Sequence, residues 1–299
     1  RNNQNCCQEK TLVALFFYSA GSDPLMLKTR ILTAIVLIAF FISALFYLPA
    51  IFWTALLLAL TVVASREWCR LARFTTKQTI LYLISTTLLG GELLLILSEA
   101  VAINPNSASM IWIYVASCLF WVIAVPVLLR LSHQVQSVSL LMLMGWMVLL
   151  PACLALYQLR AIDPWLLLGF MGVIWVSDSA AYFVGRSFGK HKLAPEISPG
   201  KTWEGVAGAL GAVFCYALIW GQMIESNILA IGLILLSLVL TGLGILGDLF
   251  ESLMKRQAGV KDSCNILPGH GGILDRIDAL TSTLPVAALV FLIFYTLEL

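Results

Sequence analysis

Charge is scarce in this sequence. Only 34 of its 299 residues are charged (18 Lys+Arg, 16 Asp+Glu), or 11%, against about 25% in an ordinary soluble domain. Apolar residues make up 60% and the mean hydropathy is +0.94. One globular core cannot hide that excess, because a folded chain of this length still leaves much surface in water. A soluble enzyme, a disordered chain and a collagen-like fibre are therefore excluded. The short alternating segments of an outer-membrane barrel are missing too. The seven cysteines (Cys6, Cys7, Cys69, Cys118, Cys153, Cys215, Cys264) show no C-x-x-C spacing and lie mostly in apolar runs. They read as small hydrophobes rather than a disulfide framework or a zinc site. Nothing has the basic, aromatic-interleaved character of a nucleic-acid binder, so no nucleic acid is expected as a partner.

What the chain does have is long apolar runs. A membrane-spanning helix needs about 20 mainly apolar residues, and nine stretches qualify, near 31–48, 50–65, 79–98, 109–129, 138–157, 164–184, 203–223, 228–247 and 279–297. The expected fold class is an all-α polytopic membrane protein of about nine transmembrane helices. The positive-inside rule orients it. With the N-terminus inside, fifteen cations between Lys28 and Arg276 fall on the inner side and Arg160 alone on the outer side. The reading is N-in and C-out, with residues 26–299 a single integral-membrane domain. Residues 1–25 fit poorly. They begin with Arg1, while Met26-Leu-Lys-Thr-Arg30 looks like a natural start, and the apolar run after Lys10 is too short to span. They are read as an upstream or non-native extension without a function.

The outer loops are short and bland, but two inner segments are not. One runs from about 185 to 202 and the other from about 248 to 278, and together they hold eight of the fifteen inner cations. Asp248, Glu251, Ser252 and Lys255 fall at i, i+3, i+4 and i+7, which puts them on one helical face. Asp275 and Asp278 repeat the i, i+3 spacing at the start of the ninth span, where carboxylates suit a helix N-terminus. Between them, Pro268-Gly-His-Gly-Gly272 can turn successive backbone N–H groups toward one point, as an anion-binding nest does. Lys255, Arg256, Lys261 and Arg276 surround it. Acids able to hold a divalent cation, beside bases and a nest able to hold phosphates, outline a phosphoryl-transfer site.

Carboxylates at membrane depth are costly and usually functional or paired. This singles out Asp248, which follows a long apolar run, and Asp178, which sits within one. Glu92 stands alone, and a structural hydrogen-bonding role weighs equally with a functional one. Two resemblances are decoys. Gly242-LGILGD248 fits G-x-G-x-x-G without the strand–turn–helix setting that a dinucleotide site requires. Its small residues, like Gly205, Gly208 and Gly211, are expected to allow close helix packing. Pro199-Gly-Lys-Thr202 evokes a phosphate-binding loop but lacks the first glycine, Pro195 standing there.

The stretch Ser252-LMKRQAGVKDSCNILPGHGGILDRID278 resembles the signature of the phosphatidate cytidylyltransferase (CDP-diacylglycerol synthase) family. Ser252 and Lys255-Arg256, Lys261-Asp262, His270-Gly-Gly272 and Asp275-Arg276-x-Asp278 all stand at the family's spacing. Cys264 alone departs, where the family has Gly, Ser or Ala. Gly189-Lys190, Pro195, Ser198-Pro-Gly-Lys-Thr202 and Glu204-Gly205 resemble its second characteristic stretch. The resemblance implies that CTP and phosphatidate give CDP-diacylglycerol and pyrophosphate with Mg2+, with a second metal or a monovalent cation as an open question. It also implies a homodimer and a bacterial inner membrane, with the site facing the cytoplasm between 178–204 and 248–282. On this basis Asp248 and Asp275 are expected as metal ligands, with Asp178 and Asp278 as further candidates. Lys255, Arg256, Lys261, Asp262, His270 and Arg276 are expected to carry catalysis. Ser198, Lys201, Thr202, Gly269, Gly271 and Gly272 are expected to bind substrate. A membrane CTP-dependent kinase acting on a polyprenol or diacylglycerol is the rival reading, and a transporter with Asp178 and Glu92 on an ion path a more distant one.

Overall fold

The computed structural model describes residues 24–131, 135–224, 226–264 and 271–296. These form a helical bundle with one small hairpin, as the composition requires: in hydrocarbon every backbone N–H and C=O must be satisfied within its own helix. The helices are α1 (Pro24–Tyr47), α2 (Ala50–Leu71), α3 (Thr76–Ile103), α4 (Ile111–Leu131), α5 (Val138–Ile162), α6 (Pro164–Phe188), α7 (Trp203–Gly221), α8 (Asn227–Ala258) and α9 (Leu274–Thr296). Eight, α2 to α9, are long and apolar enough to cross a membrane. In α1 the apolar stretch Ile38–Tyr47 belongs to a helix of 24 residues. The expected polytopic all-α membrane protein is what the chain forms.

Element ends follow local chemistry. Thr75 and Gln78 close a capping box on α3. Asp163 caps α6 by accepting from the Trp165 N–H, with Pro164 at the first position. The eighth apolar run ends near 247, but α8 continues for three more turns to Ala258. The apolar residues Phe250, Leu253 and Met254 keep one face buried while the other becomes polar. It stops at Gly259, whose φ of 69° is a left-handed conformation suited to glycine. The sixth and seventh spans are joined by β1 (Lys192–Ala194) and β2 (Ser198–Thr202), an antiparallel pair with Ala194 opposite Ser198 and Lys192 opposite Thr202. Its Pro, Gly and Lys content reads as loop in the sequence, and pairing across the short turn makes it a hairpin.

Within α4, Phe120–Ala124 forms a π turn. Pro126 explains it: proline supplies no N–H to the preceding turn, and its ring pushes the carbonyl four residues back. The widened turn lays Trp121 and Phe120 edge-on against Phe250 of α8, at centroid distances of 5.5 and 5.9 Å, while Trp68 of α2 stacks on the same ring at 6.1 Å. Phe250 is thereby fixed, and the polar face of α8 points the other way.

Glycines were expected to let helices approach, and four do. A Cβ at Gly247 would lie 2.6 Å from Ser282 Oγ and 2.7 Å from the Asp278 carbonyl, so α8 and α9 meet there. Gly244 touches α9 more loosely. Gly205 and Gly208 do the same between α7 and α6. Gly211 and Gly242 meet nothing within 4 Å, so for these two the packing expectation is corrected. The five described cysteines are free thiols, as expected.

Arg160, the one cation that the positive-inside reading puts on the outer side, holds helix ends together. Its Nε donates to the Leu45 carbonyl at 2.7 Å, its Nη2 donates to the Leu48 carbonyl, and its guanidinium lies 4.7 Å from the centre of the Trp53 ring. A cation at carbonyls that the end of α1 leaves unpaired also opposes the helix dipole. Arg160→Ala should lower stability by about 2 kcal/mol, read as a lower melting temperature of the detergent-solubilised protein.

Candidate active site

Two groups of charged side chains lie where α6, α8, α9 and the hairpin converge. The first is centred on Lys201. Its Nζ lies 2.7 Å from Asp248 Oδ2 and donates to the Ile245 carbonyl at 3.3 Å. The Ser252 hydroxyl donates to Asp248 Oδ1 at 3.3 Å. Asp178 of α6 lies within electrostatic reach of Asp248 and Lys201, and Asp278 of α9 within reach of Asp248 and Asp178. A polar cavity of about 660 Å³ opens here, lined by Asp178, Arg186, Lys192, Ser198, Lys201 and Asp248 among others. Arg186, Lys192, Ser198 and Lys201 of the first segment and Asp248 of the second therefore face one space, which Lys255, Asp275 and Asp278 do not line.

The second group is centred on Lys255. Its Nζ lies 3.0 Å from Glu251 Oε2 and 3.0 Å from Asp275 Oδ1. Asp275 also accepts from the Gly272 N–H at 2.8 Å and from the Ser263 N–H and hydroxyl. Glu251 is 4% exposed, and its Oε1 has no hydrogen-bond partner among the described residues. The charge of Asp278 reaches it, so the two groups adjoin. A buried carboxylate oxygen without a donor is costly unless something else satisfies it.

The hairpin and the end of α8 are tied twice. Lys201 reaches from β2 to Asp248, and Arg256 Nε reaches back to the Ile197 carbonyl at 3.2 Å. At the hairpin's base, Glu204 accepts from the N–H groups of Lys190 and His191 and lies 2.6 Å from His191 Nδ1. Thr202 caps α7, its hydroxyl accepting from the Gly205 N–H at 3.2 Å. Ser198 and Gly200 line the cavity, and a Cβ at Gly200 would meet nothing within 4 Å. Lys261, Asp262 and Arg276 are exposed beside the second group. Gly269 and His270 lie outside the described residues.

Of the expected anion nest at the Gly271–Gly272 turn, the Gly272 N–H faces a carboxylate of the chain itself, and the two N–H groups after it do the same, while 268–270 lie outside the described residues. Gly272 donates to Asp275, and the N–H groups of Ile273 and Leu274 donate to Glu67 of α2, at 2.9 and 2.8 Å. Both positions require glycine. Gly271 has φ 81°, and a Cβ there would lie 2.8 Å from Asp275 Oδ2. A Cβ at Gly272 would overlap Ser263 Oγ and lie 2.5 Å from Glu67 Oε2.

Glu67, Ser263 and the orphaned oxygen of Glu251 are what sequence reasoning missed. Glu67 lies between Arg66 and Trp68 and passes for an interfacial charge. Its signal was periodicity: it falls on the stripe of Ala64, Trp68 and Leu71, and it is 2% exposed. Glu92 joins neither group in any described contact.

A model of the cytidylyltransferase family matches residues 28–294. The chain is 36% identical over 282 residues to the phosphatidate cytidylyltransferase of Haemophilus influenzae, covering 87% of this chain and 96% of that protein. It is 36% identical over 269 residues to the phosphatidate cytidylyltransferase of Pseudomonas aeruginosa, covering 88% and 96%. With that of Bacillus subtilis it shares 54% identity over 113 residues, covering 38% and 42%.

The glycine contrast is testable. Gly272→Ala should destabilise by about 1–3 kcal/mol through overpacking. Gly211→Ala, on an open face of α7, should be neutral or stabilising by up to about 1 kcal/mol. Melting temperatures of the two variants in one detergent decide it.

Proposed function

Because the chain belongs to the cytidylyltransferase family, we propose that it transfers the cytidylyl group of CTP to phosphatidate, giving CDP-diacylglycerol and pyrophosphate for phospholipid synthesis. The observation that carries this reading beyond family membership is the convergence of Asp178, Lys201, Asp248, Lys255, Asp275 and Asp278 at one end of the bundle. The nucleophile is a phosphate oxygen of phosphatidate, which attacks the α-phosphorus of CTP. A new oxygen–phosphorus bond forms, the α–β anhydride breaks, and its electron pair leaves on pyrophosphate. A phosphate monoester already carries most of its second negative charge near pH 7, so no strong general base is needed. The obstacle is repulsion between two polyanions. Lys201, Lys255, Arg256, Lys261 and Arg276 oppose it by placing fixed positive charge near attacking and leaving oxygens.

The donor set fits Mg2+. The available groups are hard carboxylate oxygens, and Glu251 Oε1 is a buried acceptor without a donor among the described residues. No three described acidic, His or Cys side chains stand as a finished cage. Mg2+ does not ask for one, since it commonly takes one or two carboxylates plus substrate phosphates and water. One or two carboxylates from among Asp248, Asp275, Asp278 and Glu251 would hold it, with Asp178 nearby, and once bound it would neutralise charge on the reacting phosphates. Lys255 bridges Glu251 and Asp275, and Lys201 pairs with Asp248, so the two cations offset the repulsion among the acids.

The fifteen-to-one cation bias supports the inner side of the membrane for the cavity, where CTP is available. The phosphatidate headgroup then enters from the inner leaflet while its acyl chains stay in hydrocarbon. Bacterial relatives make the cytoplasmic membrane the natural location.

The test uses CTP labelled at the α- or γ-phosphate with purified protein, phosphatidate and Mg2+. The α label should enter lipid and the γ label should leave as pyrophosphate; γ label in lipid would mean a kinase instead. Asp248→Asn and Asp275→Asn should each lower turnover by about 10²-fold or more while the protein stays folded in detergent. Full turnover in both variants would remove the site assignment.

A further inference from the structure

Glu67 lies in α2, outside both segments that carry the family motifs, yet its side chain is engaged wholly with one of them. Oε1 accepts from the Ile273 N–H at 2.9 Å, and Oε2 accepts from the Leu274 N–H at 2.8 Å. The Ser263 hydroxyl stands 3.0 Å from the same Oε2 and 3.0 Å from Asp275 Oδ2. Glu67 is 2% exposed, and no salt bridge pairs it with a cation among the described residues. A buried carboxylate without a counter-ion is unfavourable, and two backbone N–H donors, with a serine hydroxyl whose one proton it shares with Asp275, are what make it tolerable. Those donors are also the first free N–H groups of α9 and the serine that holds Asp275. A helix usually takes its cap from a neighbouring residue; here the cap comes from 207 residues away and crosses from another helix. The link cannot loosen without freeing the start of α9, and Asp275 is in its first turn.

We infer that Glu67 is a positioning residue for the transfer reaction. It fixes the start of α9 and, through Ser263, the direction in which the Asp275 carboxylate points. The inference rests on the proposed function, in which Asp275 faces substrate and metal. Glu67 itself touches neither. Of its neighbours in sequence, Arg66 and Arg70 are exposed, Arg70 reaching Cys264 Sγ at 3.8 Å beside Ser263, and Trp68 donates to the Leu141 carbonyl on another side of α2.

Glu67→Gln keeps the volume of the side chain but turns an N–H2 group toward N–H or O–H donors. With α-labelled CTP, phosphatidate and Mg2+, turnover should fall about 10²-fold, the scale on which a misplacement of about 1 Å acts. KM for CTP should stay within about twofold. Ser263→Ala should also lose turnover, and the double variant should be no worse than the poorer single one, because both act through one linkage. Amide exchange followed by mass spectrometry gives a readout apart from activity: peptides starting at Gly271 should exchange about tenfold faster or more in Glu67→Gln.

Unchanged turnover in the folded Glu67→Gln protein would overturn the inference, as would losses that multiply in the double variant. A purely structural role would lower the melting temperature and leave turnover per folded molecule intact. If Glu67→Gln does not fold, Ser263→Ala and its exchange pattern decide alone, with intact turnover counting against the link. Wild-type protein that fails to move the α label into lipid overturns the proposed function, and Glu67's part in transfer with it. Normal wild-type transfer beside an unimpaired Glu67→Gln overturns only the positioning role.

Discussion

The site hangs on an ammonium group held between two carboxylates. Lys255 lies 3.0 Å from both Glu251 and Asp275, so it joins the last turns of α8 to the first turn of α9. Three charges near membrane depth would be prohibitive one at a time, since desolvating an isolated ion is far costlier than desolvating a paired one. Together they form a polar island whose surroundings are set by packing: Gly247 brings the two helices together below it, and Phe250 is locked behind it by Trp68, Phe120 and Trp121. The π turn in α4 thus contributes to the placement of carboxylates on a different helix.

The same logic governs the neighbouring pair. Lys201 satisfies Asp248 and leaves Asp178 and Asp278 close by with less compensation. An excess of carboxylate over ammonium is a poor arrangement for stability alone. Under the proposed function it would suit a cation together with phosphates, whose negative charge the outlying Arg and Lys residues would balance. Stability and function pull apart here, and the scarcity of charge elsewhere in the chain makes the concentration conspicuous.

Much of this was legible in the sequence, for identifiable reasons. Hydropathy runs located nine helices because hydrocarbon allows a spanning backbone no other open-ended structure. The i, i+3, i+4, i+7 spacing placed Asp248, Glu251, Ser252 and Lys255 on one face because helix geometry is local. Contacts across the bundle were not legible. No local rule says that Arg256 reaches the Ile197 carbonyl, that Lys201 rather than another cation meets Asp248, or that a carboxylate in α2 caps α9. The glycine turn shows the limit most clearly. Its composition indicated that N–H groups would converge, but not that the Gly272 N–H would meet Asp275, nor that the next two N–H groups would meet Glu67, which is distant in the chain and inconspicuous among charged neighbours.

The two ties between the hairpin and α8 bear on how such a protein can vary. Each joins positions far apart in the chain, Lys201 with Asp248 and Arg256 with Ile197, and each crosses in the opposite direction to the other. The hairpin is therefore not a detachable module. A chimera that imported it from a distant relative would have to import its α8 counterpart as well, or leave an unmatched charge on both sides of the graft. Drift at Lys201 or Asp248 is constrained by the other, and a compensating change there should cross this seam, whereas the Arg256 tie ends on a backbone carbonyl that any residue at position 197 supplies.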